Sequence, residues 1–235
     1  ISALVYGVTE RKITLDYFID KYAQGRIKPK VRIVLWLGAY QLLFMDKVPS
    51  SASINESVKL VKEIKQDYYS KLVNAVLHKI DNDRQIPDDL SVKYSVPENL
   101  INMWKKQYGE DVLNEFLPCI NDKPPLFAIP NKKFVNSDEL LYELECDGIL
   151  GEAYDEFVLI ENANDLTDSK AFKNGLFYIE DLSSFNCANA LDALGDDLVL
   201  DMCSAPGGKA FTISQSMNNS GKIYCYDLHE HRLNL

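Results

Sequence analysis

Leu198-Val199-Leu200-Asp201-Met202-Cys203-Ser204-Ala205-Pro206-Gly207-Gly208-Lys209 is the stretch that decides the fold. Leu198-Val199-Leu200 reads as a short apolar strand. A Gly-rich turn follows, and the apolar spacing beyond it predicts a helix to about Met217. Lys222–Tyr226 reads as a second strand, ending at Asp227. The order is β-α-β, which places the turn at the end of a strand, where nucleotide-like ligands dock in doubly wound sheets. Gly207 and Gly208 lack Cβ, so the chain can bend sharply and a ligand can approach the backbone. The next helix directs its first N–H groups at the same spot, and a carboxylate at Asp227 can accept hydrogen bonds from both hydroxyls of a ribose.

The ligand class follows by exclusion. A phosphate-binding Walker loop needs Gly where Cys203 stands and Ser or Thr where Ala210 stands. The G-x-G-x-x-G dinucleotide pattern is absent as well. With no phosphate to cradle, an adenosine carrying an amino acid fits better. A Gly-Gly pair alone is equally compatible with a plain turn. The nine-residue string and its downstream Asp favour the ligand loop.

Upstream, residues 1–80 read as helical, with apolar residues at three- and four-residue spacing. Tyr17, Phe18 and Tyr22 mark one helix, and Ile33, Leu35, Leu37, Tyr40, Leu43 and Phe44 the next. After Pro49-Ser50-Ser51, Ser53 or Asn55 is the expected cap of a helix carrying Val58, Val61 and Ile64. Leu72, Val73, Val76 and Ile80 mark a last one. Residues 83–97 are polar, acidic and interrupted by Pro, and read as a linker. Residues 98–180 read as a small α+β module: helices near Ile101–Tyr108 and Val112–Leu117, strands at Leu126–Ile129 and Phe157–Leu159, and a helix at Asp138–Leu144. The expected domains are thus 1–82, 98–180 and 181–235, joined by the linker.

The net charge of -10 opposes nucleic acid, but its distribution does not. Residues 1–80 hold 13 Lys+Arg against 7 Asp+Glu, and the remainder holds 12 against 28. A basic front on an acidic body suggests a local polyanion-binding face. Arg26, Lys28, Lys30 and Arg32 cluster between two helices and read as a phosphate-contacting patch or as a solvated helix entrance. The five cysteines are scattered and form no C-x-x-C pair, which argues for a reducing cytosol and against a zinc site or disulfides. Cys187 and Cys225 are expected in the core. His78, His229 and His231 have no metal-like partners. No apolar run reaches the ~20 residues that span a bilayer. The start at Ile1 within a helical pattern suggests that residues precede it.

Asp201–Lys209 resembles the D-x-C-A-A-P-G-G-K loop of the Nop2/Sun family of RNA 5-methylcytosine methyltransferases. Gly175–Ser184 is similar to that family's G-x-x-x-x-Q-D-x-x-S segment, with Glu180 in place of Gln. Residues 1–80 resemble the NusB-like domain at the front of the bacterial 16S rRNA member, through Gly38-Ala39-Tyr40-Gln41-Leu42-Leu43 and Leu72–Leu77. The resemblance implies an all-α NusB-like bundle, a small α+β module and the first β-α-β of a Rossmann-like class I methyltransferase domain. It implies that S-adenosylmethionine is held by Cys203, Ser204, Ala205, Pro206, Gly207, Gly208 and Lys209, with Asp227 on its ribose. It also implies 16S rRNA as the partner, gripped by the bundle and the module, and the protein is expected to be cytoplasmic and monomeric, with no membrane or metal partner. In this family one cysteine thiolate adds to carbon 6 of cytosine and a second helps to release the product. Both are expected beyond Leu235, so this piece is expected to be inactive by itself and its last segment weak in cofactor binding. Three departures stand out: Ile129-Pro130-Asn131 lacks the Arg of the family's L-R-V-N strand, Ser204 replaces Ala, and Phe185 stands where Gln is common. The competing readings are an RNA-binding adaptor without chemistry, which has no use for the loop at 201–209, and a methyltransferase acting on tRNA.

Overall fold

The computed structural model describes residues 2–162, 166–218 and 220–233. The chain divides into two compact units, Ile1–Asp122 and Lys123–Leu235. The expected boundaries at 82/83, 97/98 and 180/181 fall within these two units. The helices after residue 98 belong with the first unit, and residues 181–235 share a unit with the sheet. The reading of Ile1 lies outside the described residues.

The first unit is helical: α1 (Ser2–Glu10), α2 (Lys12–Tyr22), α3 (Pro29–Phe44), α4 (Ser50–Glu63), α5 (Ser70–Asn82), α6 (Leu90–Tyr94), α7 (Glu98–Tyr108) and α8 (Glu110–Cys119). Pro29 opens α3 at the position where a missing N–H costs nothing. The apolar stripes of α2, α3 and α5 converge on a core containing Leu15, Phe18, Ile19, Leu35 and Leu77, all fully buried. Gly38 lets α3 approach its neighbours closely: an added Cβ would lie 2.7 Å from Leu77 Cδ1 and from Ser57 Oγ. Ser53 does not cap α4 as the sequence predicts. The helix starts at Ser50, after Pro49, and Ser53 is buried, donating to Gly38 O at 3.1 Å. The polar stretch expected to be a linker carries α6, capped by Asp89. It is anchored on α2, where Ile13 N donates to Ser95 Oγ at 2.9 Å and Thr14 Oγ1 donates to Val92 O. A separate small core of Val96, Ile101, Leu113 and Leu117 joins α7 to α8.

The second unit begins with β1 (Leu126–Pro130), α9 (Ser137–Cys146), β2 (Gly151–Tyr154), β3 (Phe157–Ile160), α10 (Lys170–Lys173) and β4 (Phe177–Ile179). These four strands form an antiparallel sheet in the order β2-β3-β1-β4. Successive residues of β1 face opposite sides. Ala128 joins Leu140, Leu144 and Val158 in the core under α9, while Phe127 and Ile129 join Phe157 and Phe185 on the other side. Burial on both faces explains why β1 is an unbroken apolar run.

The chain continues through α11 (Leu182–Asn189), β5 (Leu198–Asp201), α12 (Gly208–Ser216) and β6 (Lys222–Cys225). β5 and β6 pair in parallel, Val199 opposite Ile223 and Leu200 opposite Tyr224. This is the predicted β-α-β unit. Val199 and Ile223 pack on Ala188, Ile213 and Met217 of the covering helices. Leu198, Leu200 and Tyr224 on the opposite face are exposed.

Candidate cofactor-binding site

The loop from Asp201 to Lys209 leaves the carboxyl end of β5 and is tied to the end of β6. Tyr226 N donates to Asp201 O at 2.8 Å, and Ser204 N returns a bond to Tyr226 O at 2.9 Å. Ser204 Oγ donates to the same carbonyl at 3.2 Å. Ser204 is therefore buried and engaged through its hydroxyl, a contact the family's Ala cannot make. Asp201 Oδ1 accepts from Cys203 N at 3.1 Å, and Asp227 Oδ2 accepts from Ala205 N at 3.3 Å. After a cis Ala205-Pro206 bond, Gly207 has φ +113°, a left-handed conformation that a side chain strains. α12 starts at Gly208 with no side chain capping it. Its opening N–H groups have no partner within the helix, leaving an N-terminus suited to polar ligand atoms.

Asp227 is the meeting point. Its Oδ1 accepts from His229 N at 3.0 Å, and its Oδ2 faces Arg232 Nη1 at 3.3 Å. The His229 N–H, the Arg232 charge and the Ala205 N–H together hold its carboxyl below the usual range, against desolvation. The sequence marks Asp227 as an acceptor for ribose hydroxyls. Its side chain is only 3% exposed, and Arg232 covers it.

Beneath the loop lies a chain of polar groups that connects α12 to the sheet. Thr212 Oγ1 donates to Glu180 Oε2 at 2.6 Å. With that proton committed, Tyr178 donates to Thr212 Oγ1 at 2.8 Å and accepts from Gln215 Nε2 at 3.1 Å. Gln215 Oε1 in turn accepts from Lys132 N at 2.9 Å. Burial raises the Tyr178 hydroxyl to about 12, so it is held as a donor. Burial also raises the Glu180 carboxyl, against the Thr212 bond and the nearby Lys209 charge. Gly208 sits directly over this carboxylate: an added Cβ would lie 3.0 Å from Glu180 Oε1. Lys209 is exposed, with Nζ 3.4 Å from Ser184 Oγ.

In the helical unit the predicted basic cluster is divided. Arg32 is held by acids, with Nε donating to Asp16 at 2.8 Å and Nη2 to Asp20 at 2.7 Å. Lys28 donates to Gln66 at 3.1 Å and lies over the Tyr69 ring. Arg26 and Lys30 are exposed.

Residues 1–82 match the model of the NusB family, and residues 188–235 match that of the 16S rRNA methyltransferase RsmB/F family. The chain is thus similar to the NusB family over its first segment and to the RsmB/F methyltransferases over its last. It is 32% identical over 249 residues to the probable ribosomal RNA small subunit methyltransferase B of Bacillus subtilis (strain 168), covering 100% of this chain and 55% of that protein. The corresponding protein of Synechocystis sp. (strain ATCC 27184 / PCC 6803 / Kazusa) is 29% identical over 247 residues, covering 99% of this chain and 55% of the relative. The chain thus spans about half the length of the curated relatives it matches. The crystal structure of PH0851 superimposes with a TM-score of 0.72 at 24% identity, covering 99% of this chain and 55% of that one, which supports the fold alone.

Departures from the RsmB/F-like pattern have local explanations. Phe185 packs edge-on against Phe157, ring centroids 4.8 Å apart, within the aromatic core under the sheet. Asn131 keeps a structural task after β1: its N–H donates to Leu176 O at 2.8 Å and its Nδ2 to Gly175 O at 2.9 Å. Two core assignments are corrected. Cys187 and Cys225 are exposed, as are Cys119, Cys146 and Cys203. Cys225 lies on a two-stranded sheet too narrow to bury it, and α11 buries Phe185 and Ala188 instead of Cys187. Sequence reasoning missed Thr212, Tyr178, Gln215 and Arg232. The helical spacing of Gly208, Thr212 and Gln215 signals a shared face, but nothing in the sequence pairs that face with Tyr178.

Among the described residues, no helix is long and apolar enough to cross a membrane, and no group of three or more His, Cys, Asp or Glu residues is placed to hold a metal.

Proposed function

We propose that the chain serves methylation of carbon 5 of a cytosine in 16S rRNA, with S-adenosylmethionine as methyl donor. The observation that carries this reading is the loop Cys203–Lys209, which is laced to the end of a parallel strand pair by Ser204 and Ala205 and opens a helix at Gly208. The N–H groups of Cys203, Ser204 and Ala205 hold the loop in place, and those at the start of α12 are left for a polar ligand, without a phosphate cradle. The relatives' designation as small-subunit rRNA methyltransferases supports the same choice.

S-adenosylmethionine, when bound, supplies a methyl group on a sulfonium. The chain's own part is to hold it. Cys203, Ser204, Ala205, Pro206, Gly207, Gly208 and Lys209 form the cradle, and Asp227 is the acceptor for ribose hydroxyls. The cradle fits the ligand in its backbone; Asp227 fits only when its covering side chain moves aside. No cysteine of this chain is assigned as the nucleophile. Cys203 lies inside the proposed cofactor loop. The NusB-like segment holds rRNA, with Arg26, Lys28 and Lys30 as phosphate contacts, since Arg32 is already paired. The setting is the cytoplasm and the acting form a monomer.

The test is methyl transfer from radiolabelled S-adenosylmethionine by the intact gene product, offered small-subunit rRNA and tRNA in parallel. Label recovered as 5-methylcytidine in 16S rRNA is expected. Label confined to tRNA would move the substrate assignment, and retention of RNA without label would leave an RNA-binding adaptor.

A further inference from the structure

We infer that Arg232 belongs to the cofactor site and contends with the ligand for Asp227. The inference rests on the reading of Cys203–Lys209 and Asp227 as a cofactor site. Arg232 ends a one-turn 3-10 helix, Glu230–Arg232, just after β6. Its Nη1 faces Asp227 Oδ2 at 3.3 Å, and its Nη2 donates to Ala205 O at 2.8 Å. The guanidinium thus bridges the acceptor carboxylate and the cofactor loop. With the Asp227 side chain 3% exposed, little of the carboxylate is open to a ribose hydroxyl in this arrangement.

The groups covering Asp227 differ in freedom. Ala205 N and His229 N are backbone donors fixed by the loop and by the turn after β6. Arg232 is a long side chain that is 43% exposed, so it can swing into water. With Arg232 half exposed the ion pair is partly screened by water, and two ribose hydroxyls can replace it with charge-assisted bonds to the same carboxylate. Without ligand, Arg232 neutralises a carboxylate that would otherwise be buried with only two backbone partners. With ligand, the ribose takes its place, and the bond from Nη2 to Ala205 O is released at the same time. Arg232 therefore lowers the affinity of the site and keeps the loop fastened when it is empty.

Calorimetric titration of the intact gene product with S-adenosylhomocysteine, which lacks the sulfonium charge, tests this without any catalytic readout. Arg232→Ala is expected to bind roughly two- to fivefold more tightly than wild type at low salt. The advantage should shrink at high ionic strength, where the pair is screened, and should vanish when Asp227 is also replaced by Ala. Arg232→Gln keeps a donor for Ala205 O while removing the charge, and should show the same tightening if the Ala variant folds poorly. Weaker binding by both variants would overturn the inference, because Arg232 would then orient Asp227 for the ligand. Equal binding would overturn it too. Wild type that binds neither S-adenosylhomocysteine nor S-adenosylmethionine would instead remove the cofactor reading, and this inference with it.

Discussion

The helical bundle α1–α5 buries Leu15, Phe18, Ile19, Leu35 and Leu77 completely, whereas the β5–β6 pair leaves Leu198 70% exposed and Leu200 58% exposed. The bundle is held by interlocked apolar side chains from several helices. The strand pair has one covered face, and its loop is positioned by directed polar bonds: Ser204 to Tyr226, Asp227 to Ala205, Thr212 to Glu180. The two regions should therefore fail in different ways. Apolar packing loses stability in proportion to the volume removed, while a polar lattice fails when one buried partner is left alone.

The largest effect is expected in the bundle. Phe18→Ala removes a fully buried ring that also stands edge-on to Tyr17, with centroids 5.4 Å apart. A loss of about 3–5 kcal/mol is expected, read as a lowered urea midpoint of the helical signal at unchanged slope. A loss below about 1 kcal/mol would mean that the bundle is not held by this core.

The second effect belongs to the polar lattice. Thr212→Val preserves shape but strips Glu180 of its donor and Tyr178 of its acceptor. A cost of roughly 2–3 kcal/mol is expected in the second unit, with Thr212→Ser near wild type. Amide exchange along α12 and β4 would report it. If Val and Ser behave alike, apolar packing governs this unit as well, and the contrast between the two regions collapses.

The same contrast explains what the sequence made legible. Helical periodicity placed α2 to α5, and the run Leu198–Lys209 placed the β-α-β unit, because both signals are local. β2 escaped notice because Gly151–Tyr154 lacks apolar alternation and is held chiefly by its pairing with β3. α6 escaped because its surroundings are polar and its anchorage, Thr14 to Val92, spans 78 residues. In the candidate site, the sharp turn at Gly207 and the helix start at Gly208 are readable from the sequence. The cover over Asp227 is not: Arg232 is near in sequence, but its fold-back onto Ala205 depends on the turn at 228–232.

The smallest effect tests whether the polar lattice carries a penalty of its own. Glu180 stands where the resembled family has Gln, and burial raises its carboxyl above the ordinary range despite the Thr212 bond and the Lys209 charge. A carboxyl whose folded value lies above its unfolded one binds protons more tightly in the fold. Stability must then fall as pH climbs from the unfolded value, near ~4.3, through the folded one, and stay lower above it. Glu180→Gln removes that titration while keeping an acceptor for Thr212. The variant should match wild type below about pH 4 and exceed it at neutral pH, by roughly a degree or two in melting temperature. Its stability should also change less with pH across that interval. The reverse order at neutral pH would mean that the attraction of Lys209 and the Thr212 bond outweigh burial. The negative charge would then stabilise the floor of the cofactor loop, and the departure from Gln would strengthen the lattice instead of burdening it.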